Sequence, residues 1–215
     1  MFKFGREDGL DVVVQRFATM LEDARFVFDG AVDARLRAAD PEVTGPDVLA
    51  AEDRTDEAER DIRRRVLVHA SVRGRSADLP SCFRFMSVAK DAERIGDLSR
   101  QIFGIAKTVG PAPSGEVRDD LLDLAGRISP LIWDVAEAFR DDDVERAGEL
   151  DEAIRGIQDR CRARIDALLR EELVVPQLAA TTLTYRQFAR VSANLRNILS
   201  AVTQSLDLLD YPDRH

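Results

Sequence analysis

Glu93 and Asp97 stand four residues apart, and so do Glu52 and Asp56. In a helix, residues at that spacing lie one above the other, so each pair stacks two carboxylates on one face. Stacked carboxylates repel each other, and the groups able to relieve the repulsion are a basic side chain or a metal ion. An all-carboxylate donor set is hard in character and suits iron, manganese, magnesium or calcium better than zinc or copper. Glu52, Asp56, Glu93 and Asp97 are therefore candidate ligands for a divalent or trivalent cation, iron among them, with Glu59 extending the same side. The di-iron bundle pattern adds a Glu-x-x-His motif. His69 and His215, the only histidines, do not follow a suitable acid at that distance; His69 reads as a core-edge residue. The other reading of Glu93 and Asp97 is ion pairing with Arg60, Arg63 or Arg100 across helices. Asp53, Glu57 and Asp61 form a rival acidic row, which lies opposite the apolar stripe of its helix and reads as facing solvent.

The elements that must position these acids are amphipathic helices. Phe85, Val88, Ala92, Ile95, Ser99, Ile102 and Ala106 recur at steps of three and four, which marks the core seam of a packed helix. Glu93 and Asp97 flank that seam, in line with Leu79 and Met86. Val48, Ala51, Thr55, Ala58, Ile62 and Val66 form the equivalent stripe beside Glu52 and Asp56. Before these comes a helix from about Asp8 to Ala39, with Val12 or Val13, Phe17, Met20, Leu21, Ala24, Phe28 and Ala31 inward and Asp40-Pro41 closing it. Gly45-Pro46-Asp47 starts the second helix, which runs to about Val72. A turn over Gly74 to Asp78 leads into the third, where Pro80 fits the first turn. The strongest break is Val109 to Gly115. After it the patterning predicts helices from Glu116 to Arg140, from Val144 to about Leu173, and from Pro176 to Asp210. Pro130 is placed to kink the fourth, and Asp141-Asp142-Asp143 to serve the N-terminus of the fifth. Trp133, Phe139, Leu122, Ile128 and Ile132 read as core, and Gly96, Gly104 and Gly126 as points of close helix packing. No stretch has the alternation of a strand.

The break leaves three long helices on each side, which points to an internal repeat. Setting Arg94-Ile95 against Arg190-Val191 also brings Arg100-Gln101-Ile102 onto Arg196-Asn197-Ile198. In that register Glu93 becomes Ala189 and Asp97 becomes Ala193, while the second helix's acids correspond to Asp151 and Arg155. The expected organisation is one all-α domain over 1–215, with repeat one at 1–109, a linker at 110–115 and repeat two at 116–215, packed as paired three-helix bundles. The acid pairs survive in the first repeat alone.

A chain of 215 residues, 45% apolar, 33% charged and only 6% aromatic, suits a soluble helical bundle with a sizeable core. Its formal charge of -9 repels polyanions and argues against nucleic-acid binding. No apolar run could span a bilayer and no signal-peptide pattern opens the chain, so a cytoplasmic location is expected, with membrane contact only indirect. Cys82 and Cys161 lack metal-type spacing and read as buried free thiols. No phosphate-binding glycine loop and no Ser/His/Asp or Cys/His arrangement is present to suggest a catalytic site. The arginines at 60, 63, 64 and 65, answered by Arg73 and Arg75, read as a solvated face or as a basic patch for an acidic partner or lipid headgroups.

Glu93-Arg94-Ile95-Gly96-Asp97, preceded by Asp78-Leu79, resembles the signature of the PhoU family, regulators of phosphate uptake whose helices carry a Glu-Arg-Ile-Gly-Asp segment within an E(D)xxxD motif. The family's first E(D)xxxD motif would fall on Glu52 and Asp56. The resemblance implies paired three-helix repeats and a non-catalytic cytoplasmic regulator that contacts a phosphate transporter or its sensor kinase. The chain's length and its opening Met1-Phe2-Lys3-Phe4 are also similar to the shorter, transporter-associated members. Alternatives from other classes are a carboxylate-bridged metalloenzyme on a helical bundle and a metal-free structural bundle that forms a homodimer.

Overall fold

A computed structural model describes residues 10–73, 76–170 and 175–209. Six long helices form in chain order: α1 (Leu10–Leu36), α2 (Pro41–Val68), α3 (Leu79–Val109), α4 (Glu116–Asp141), α5 (Val144–Leu169) and α6 (Leu178–Thr203). A π-helical segment, His69–Arg73, and a 3-10 turn, Ser76–Asp78, lie between α2 and α3, and a second 3-10 turn, Leu206–Leu208, follows α6. Among the described residues there is no strand.

Packing follows the apolar stripes. α1, α2 and α3 pack on one another, and so do α4, α5 and α6. The halves meet where α1 lies on α4 and α3 lies on α6. That junction is aromatic at its centre, with the Phe139 ring centroid 4.9 Å from Phe17 and 5.5 Å from Phe85, and Phe28 lies 5.5 Å from Phe188. The tilted and edge-on geometries are the ones ring quadrupoles favour. Polar contacts also cross it: Gln187 donates to Gln101 at 2.8 Å, Asn197 to Asp91 at 3.0 Å and Arg25 to Ser129 at 3.1 Å. α2 and α5 are the outer helices, packed chiefly within their own halves.

Arg35 anchors the connection between the halves. It is 0% exposed, its Nη1 donates to the Gly110 carbonyl at 2.9 Å and to Gln177 Oε1 at 2.8 Å, and its own carbonyl accepts from Ala112 N at 2.7 Å. Gln177 in turn donates to the carbonyl of Val109. The linker and the entry to α6 are thereby fixed to the end of α1.

Several boundaries differ from the sequence reading for identifiable reasons. Asp40-Pro41 opens α2 rather than closing α1, because the Asp40 carboxylate accepts from Glu42 N at 2.9 Å and Pro41 takes the first helical position. Pro46 then sits inside the helix. α1 ends earlier, near Ala38 with its positive φ of 61°. α4 runs through Pro130, and α6 gives way to an extended residue at Gln204. Asp8, Gly74, Arg75, Leu173 and Asp210 lie outside the described residues. Of the aspartates before α5, Asp143 caps the helix by accepting from Arg146 N at 3.0 Å, whereas Asp141 pairs with Arg140. Trp133 and Leu122 are half-buried rather than core, and an added Cβ at Gly104 or Gly126 would meet nothing within 4 Å, so close packing is confined to Gly96 of the three. Cys82 and Cys161 are free and buried. Burial pushes the Cys161 thiol up to about 12, so it is an inert packing group. No described helix is long and apolar enough to cross a membrane.

Candidate functional site

α2 and α3 come into close contact at Gly96. A Cβ built there would stand 2.9 Å from Thr55 Oγ1, and Thr55 is itself fully buried with its hydroxyl donating to the Glu52 carbonyl at 2.7 Å. This close contact sets the two acid pairs on either side of one seam. Glu52, Asp56 and Glu59 flank it on α2, and Glu93 and Asp97 on α3, all half-buried. Asp53 and Glu57 are exposed, and Asp61 pairs with Arg65 at 2.7 Å and with Arg16 at 3.8 Å, so the rival row stays off the seam.

The electrostatics show that the acids feel one another. Burial and then the carboxylates of Glu59, Asp97 and Asp56 push the Glu93 carboxyl up to about 7, with Arg94 only partly opposing them. Glu52 is also raised, by burial first, against the pull of Arg100 and with the help of Asp56, Asp97 and Asp53. Both shifts follow from withdrawing carboxylates from water and crowding like charges.

Arginines neutralise most of the row. Arg100 bridges the seam, its Nε 2.9 Å from Glu52 Oε1 and its Nη2 3.1 Å from Asp97 Oδ1. Arg60 pairs with Asp56 at 3.1 Å, and Arg63 with Glu59 at 2.9 Å. Glu93 is the one acid of the row with neither hydrogen bond nor ion pair among the described residues. Among those residues no three His, Cys, Asp or Glu side chains are gathered closely enough to hold a metal ion. The donor set matches a hard cation in type and charge, but in this arrangement three of the four candidate ligands are held by arginine.

The second half differs at the same places. Ala189 and Ala193 stand on α6, and Asp151 of α5 pairs with Arg155 at 2.9 Å and with Arg196 at 2.6 Å. In the register that sets Arg100 against Arg196 and Glu52 against Asp151, the Glu52–Arg100 pair has its counterpart in Asp151–Arg196. A further buried acid there was not singled out from sequence. Asp120 of α4 accepts from Tyr185 Oη at 2.7 Å, from Arg160 Nη2 at 2.6 Å and from Arg164 Nη2 at 3.1 Å. Burial alone would raise its carboxyl, but these hydrogen bonds prevail and hold it below the ordinary aspartate value. The arginines at 160 and 164 have helical spacing, yet nothing local ties them to an acid on another helix. His69 is buried and its Nε2 lies 3.2 Å from Asp78 Oδ2, which makes it the core-edge residue expected and keeps it away from the acid row.

Comparison with known proteins bears on this seam. No curated protein matches the chain. Residues 17–106, which contain α2, almost all of α3 and every acid of the row, match the PhoU domain family. Over nearly its whole length the chain is similar in fold to two solved structures. One is PhoU from Pseudomonas aeruginosa, 19% identical, with a TM-score of 0.79 over 90% of this chain and 95% of that one. The other is the phosphate transport system regulatory protein PhoU from Streptococcus pneumoniae, 16% identical, with a TM-score of 0.77 over 94% of this chain and 95% of that one. Residues 17–106 thus match the PhoU domain family, and the described residues have an all-α, six-helix, PhoU-like fold.

Proposed function

We propose that this protein is a non-catalytic regulator of phosphate transport that acts by binding other proteins, and that the α2–α3 acid row is its cation site. The single observation that carries the regulatory reading is the PhoU domain match over the helices that bear the acids. The partner we propose is a phosphate transporter or its sensor kinase, reached from the cytoplasmic side, with the membrane met only through that partner. Co-purification from phosphate-starved cells, followed by phosphate uptake in cells lacking the protein, tests this. Enrichment of either partner with altered uptake supports it, and neither partner with unchanged uptake removes it.

Glu52, Asp56, Glu93 and Asp97 would hold the cation. Bound there, it would supply positive charge that cross-links α2 to α3. Glu93, crowded by carboxylates and without a hydrogen bond or ion pair among the described residues, is what supports a cation at the seam. A second reading has its own observation. Arg100 already bridges Glu52 to Asp97, so the row can be a cation-free ion-pair seam. Elemental analysis of the purified protein and of the Glu93→Ala, Asp97→Ala double variant separates the two. Metal in the first and not in the second supports ligation, whereas equal content, or none in either, leaves the ion pairs as the function of these acids.

A further inference from the structure

The face of α3 that carries Glu93 and Asp97 continues toward the α2–α3 connection as Leu79 and Met86, and there the seam changes from acidic to apolar. Val66, Leu67 and Ala70 on one side and Leu79, Cys82, Phe83 and Met86 on the other line an open groove of about 400 Å³. Apart from Arg63 and Arg64, no charged residue lines it among the described residues. Its walls are not merely core showing through: Leu67 is 65% exposed and Phe83 61% exposed, and nearby Val72 reaches 76%. Scattered exposed apolar side chains are ordinary, but several lining one concavity mark a docking site.

From this we infer that the hairpin end of α2 and α3 is a docking groove for an amphipathic helix of a partner protein, with apolar anchors at helical spacing and an acidic flank beside Arg64. The charges decide which partner fits. Both charged lining residues are arginines, in a chain whose overall charge is -9. Arg64 is exposed and makes no hydrogen bond or ion pair among the described residues. Arg63 is tied to Glu59, but its buried Nε has no acceptor. The acid row begins one helical turn beyond, at Glu59. A bound helix is therefore acidic over the groove and neutral or basic where it extends toward Glu93, which gives it one orientation. A planar membrane fits less well, because the apolar surface is concave and most of the molecule is acidic. Helix-in-groove recognition with apolar anchors at i, i+3, i+4 and i+7 is the matching mode.

The inference deepens the regulatory reading by giving its protein partner a chemistry, and it is tested on the isolated full-length protein, so its failure leaves the co-purification result untouched. The probe is a fluorescent, helix-stabilised peptide of about five turns with leucines at that spacing and glutamates flanking them at one end, against the same peptide with lysines in place of the glutamates. Saturable binding is expected, with the glutamate peptide at least tenfold tighter and its advantage reduced by salt. Phe83→Ser should weaken it at least tenfold, as loss of a central apolar anchor does. Arg64→Glu should invert the preference between the peptides while leaving the melting temperature unchanged, since Arg64 is exposed. No binding, or equal binding of both peptides unaffected by Arg64→Glu, overturns the inference. So does tight binding to vesicles of anionic phospholipid that Phe83→Ser abolishes, which would make the groove a membrane contact, or concentration-dependent dimerisation abolished by Phe83→Ser, which would make it a contact between copies.

Discussion

At the scale of single residues, Glu93 is the acid of the row whose charge state depends most on its surroundings. Its carboxyl sits near about 7 because burial and three neighbouring carboxylates disfavour the anion. A raised value means that the folded protein holds the proton more tightly than the unfolded chain does. The associated stability is complete below the ordinary carboxyl value and is lost as pH rises through about 7. In chelator-treated protein, the melting temperature of the wild type should therefore fall between pH 5 and pH 8 relative to that of Glu93→Gln. Parallel profiles for the two proteins would show that Glu93 carries no such linkage. The candidate ligands were legible from sequence because spacing alone puts Glu52 over Asp56 and Glu93 over Asp97. Of the ion pairs expected across helices for Glu93 and Asp97, only Arg100 with Asp97 forms among the described residues, and within α3, while Arg60 and Arg63 take Asp56 and Glu59 of their own helix. That Arg100 also reaches Glu52 depends on how α2 and α3 pack, which no local pattern contains.

At the scale of elements, Gly96 lets α2 and α3 close together over Thr55. Gly96→Val would place a branched side chain where even a Cβ stands 2.9 Å from a buried hydroxyl. We expect a loss of about 1–3 kcal/mol, the usual penalty of overpacking, measured by urea denaturation, together with disruption of the Glu52–Arg100 pair. An unchanged midpoint would mean that the helices part freely at that point. Gly104 and Gly126 looked alike in sequence, but a glycine is a contact only where another helix happens to face it. Capping follows a stricter local rule. Asp143→Ala removes an acceptor for the Arg146 amide and should cost about 1 kcal/mol, whereas Asp141→Ala, which loses only an exposed pair, should change stability by less. Equal effects in thermal melts would contradict this assignment. The same capping chemistry explains the misread start of α2: Asp40-Pro41 and Gly45-Pro46 are both plausible openings, and the one with a carboxylate beside the first proline prevails.

At the scale of the whole molecule, the two halves are joined by the Phe17, Phe85 and Phe139 cluster and by Arg35. Arg35 is a buried cation with no carboxylate beside it among the described residues, and burial lowers its affinity for its proton. Its role is geometric, holding the linker carbonyl of Gly110 and the Gln177 side chain at once. Arg35→Ala would leave a cavity and strand both acceptors, so a loss of about 2–5 kcal/mol is expected in denaturant titration. Protection of the Ala112 amide from hydrogen exchange should fall with it. If Ala112 stays as protected as before, the linker is held by other contacts.

Sequence by itself determined that the chain is helical, where α3 to α6 begin to within a few residues, and which face of each helix turns inward, because a 3.6-residue apolar period leaves little choice. It also determined the acid pairs and the segment Glu93 to Asp97 that resembles the PhoU family signature, since each lies within a single helix. Only the tertiary structure decided what stands opposite each acid, that Asp120 is enclosed by Tyr185, Arg160 and Arg164, that Trp133 stays half-exposed, and that Leu67, Phe83 and Met86 line one groove. The physical reason is common to all four. Helical periodicity fixes the direction a side chain takes from its own axis, while its neighbours depend on how separate helices pack, and residues far apart in the chain meet only once that packing exists.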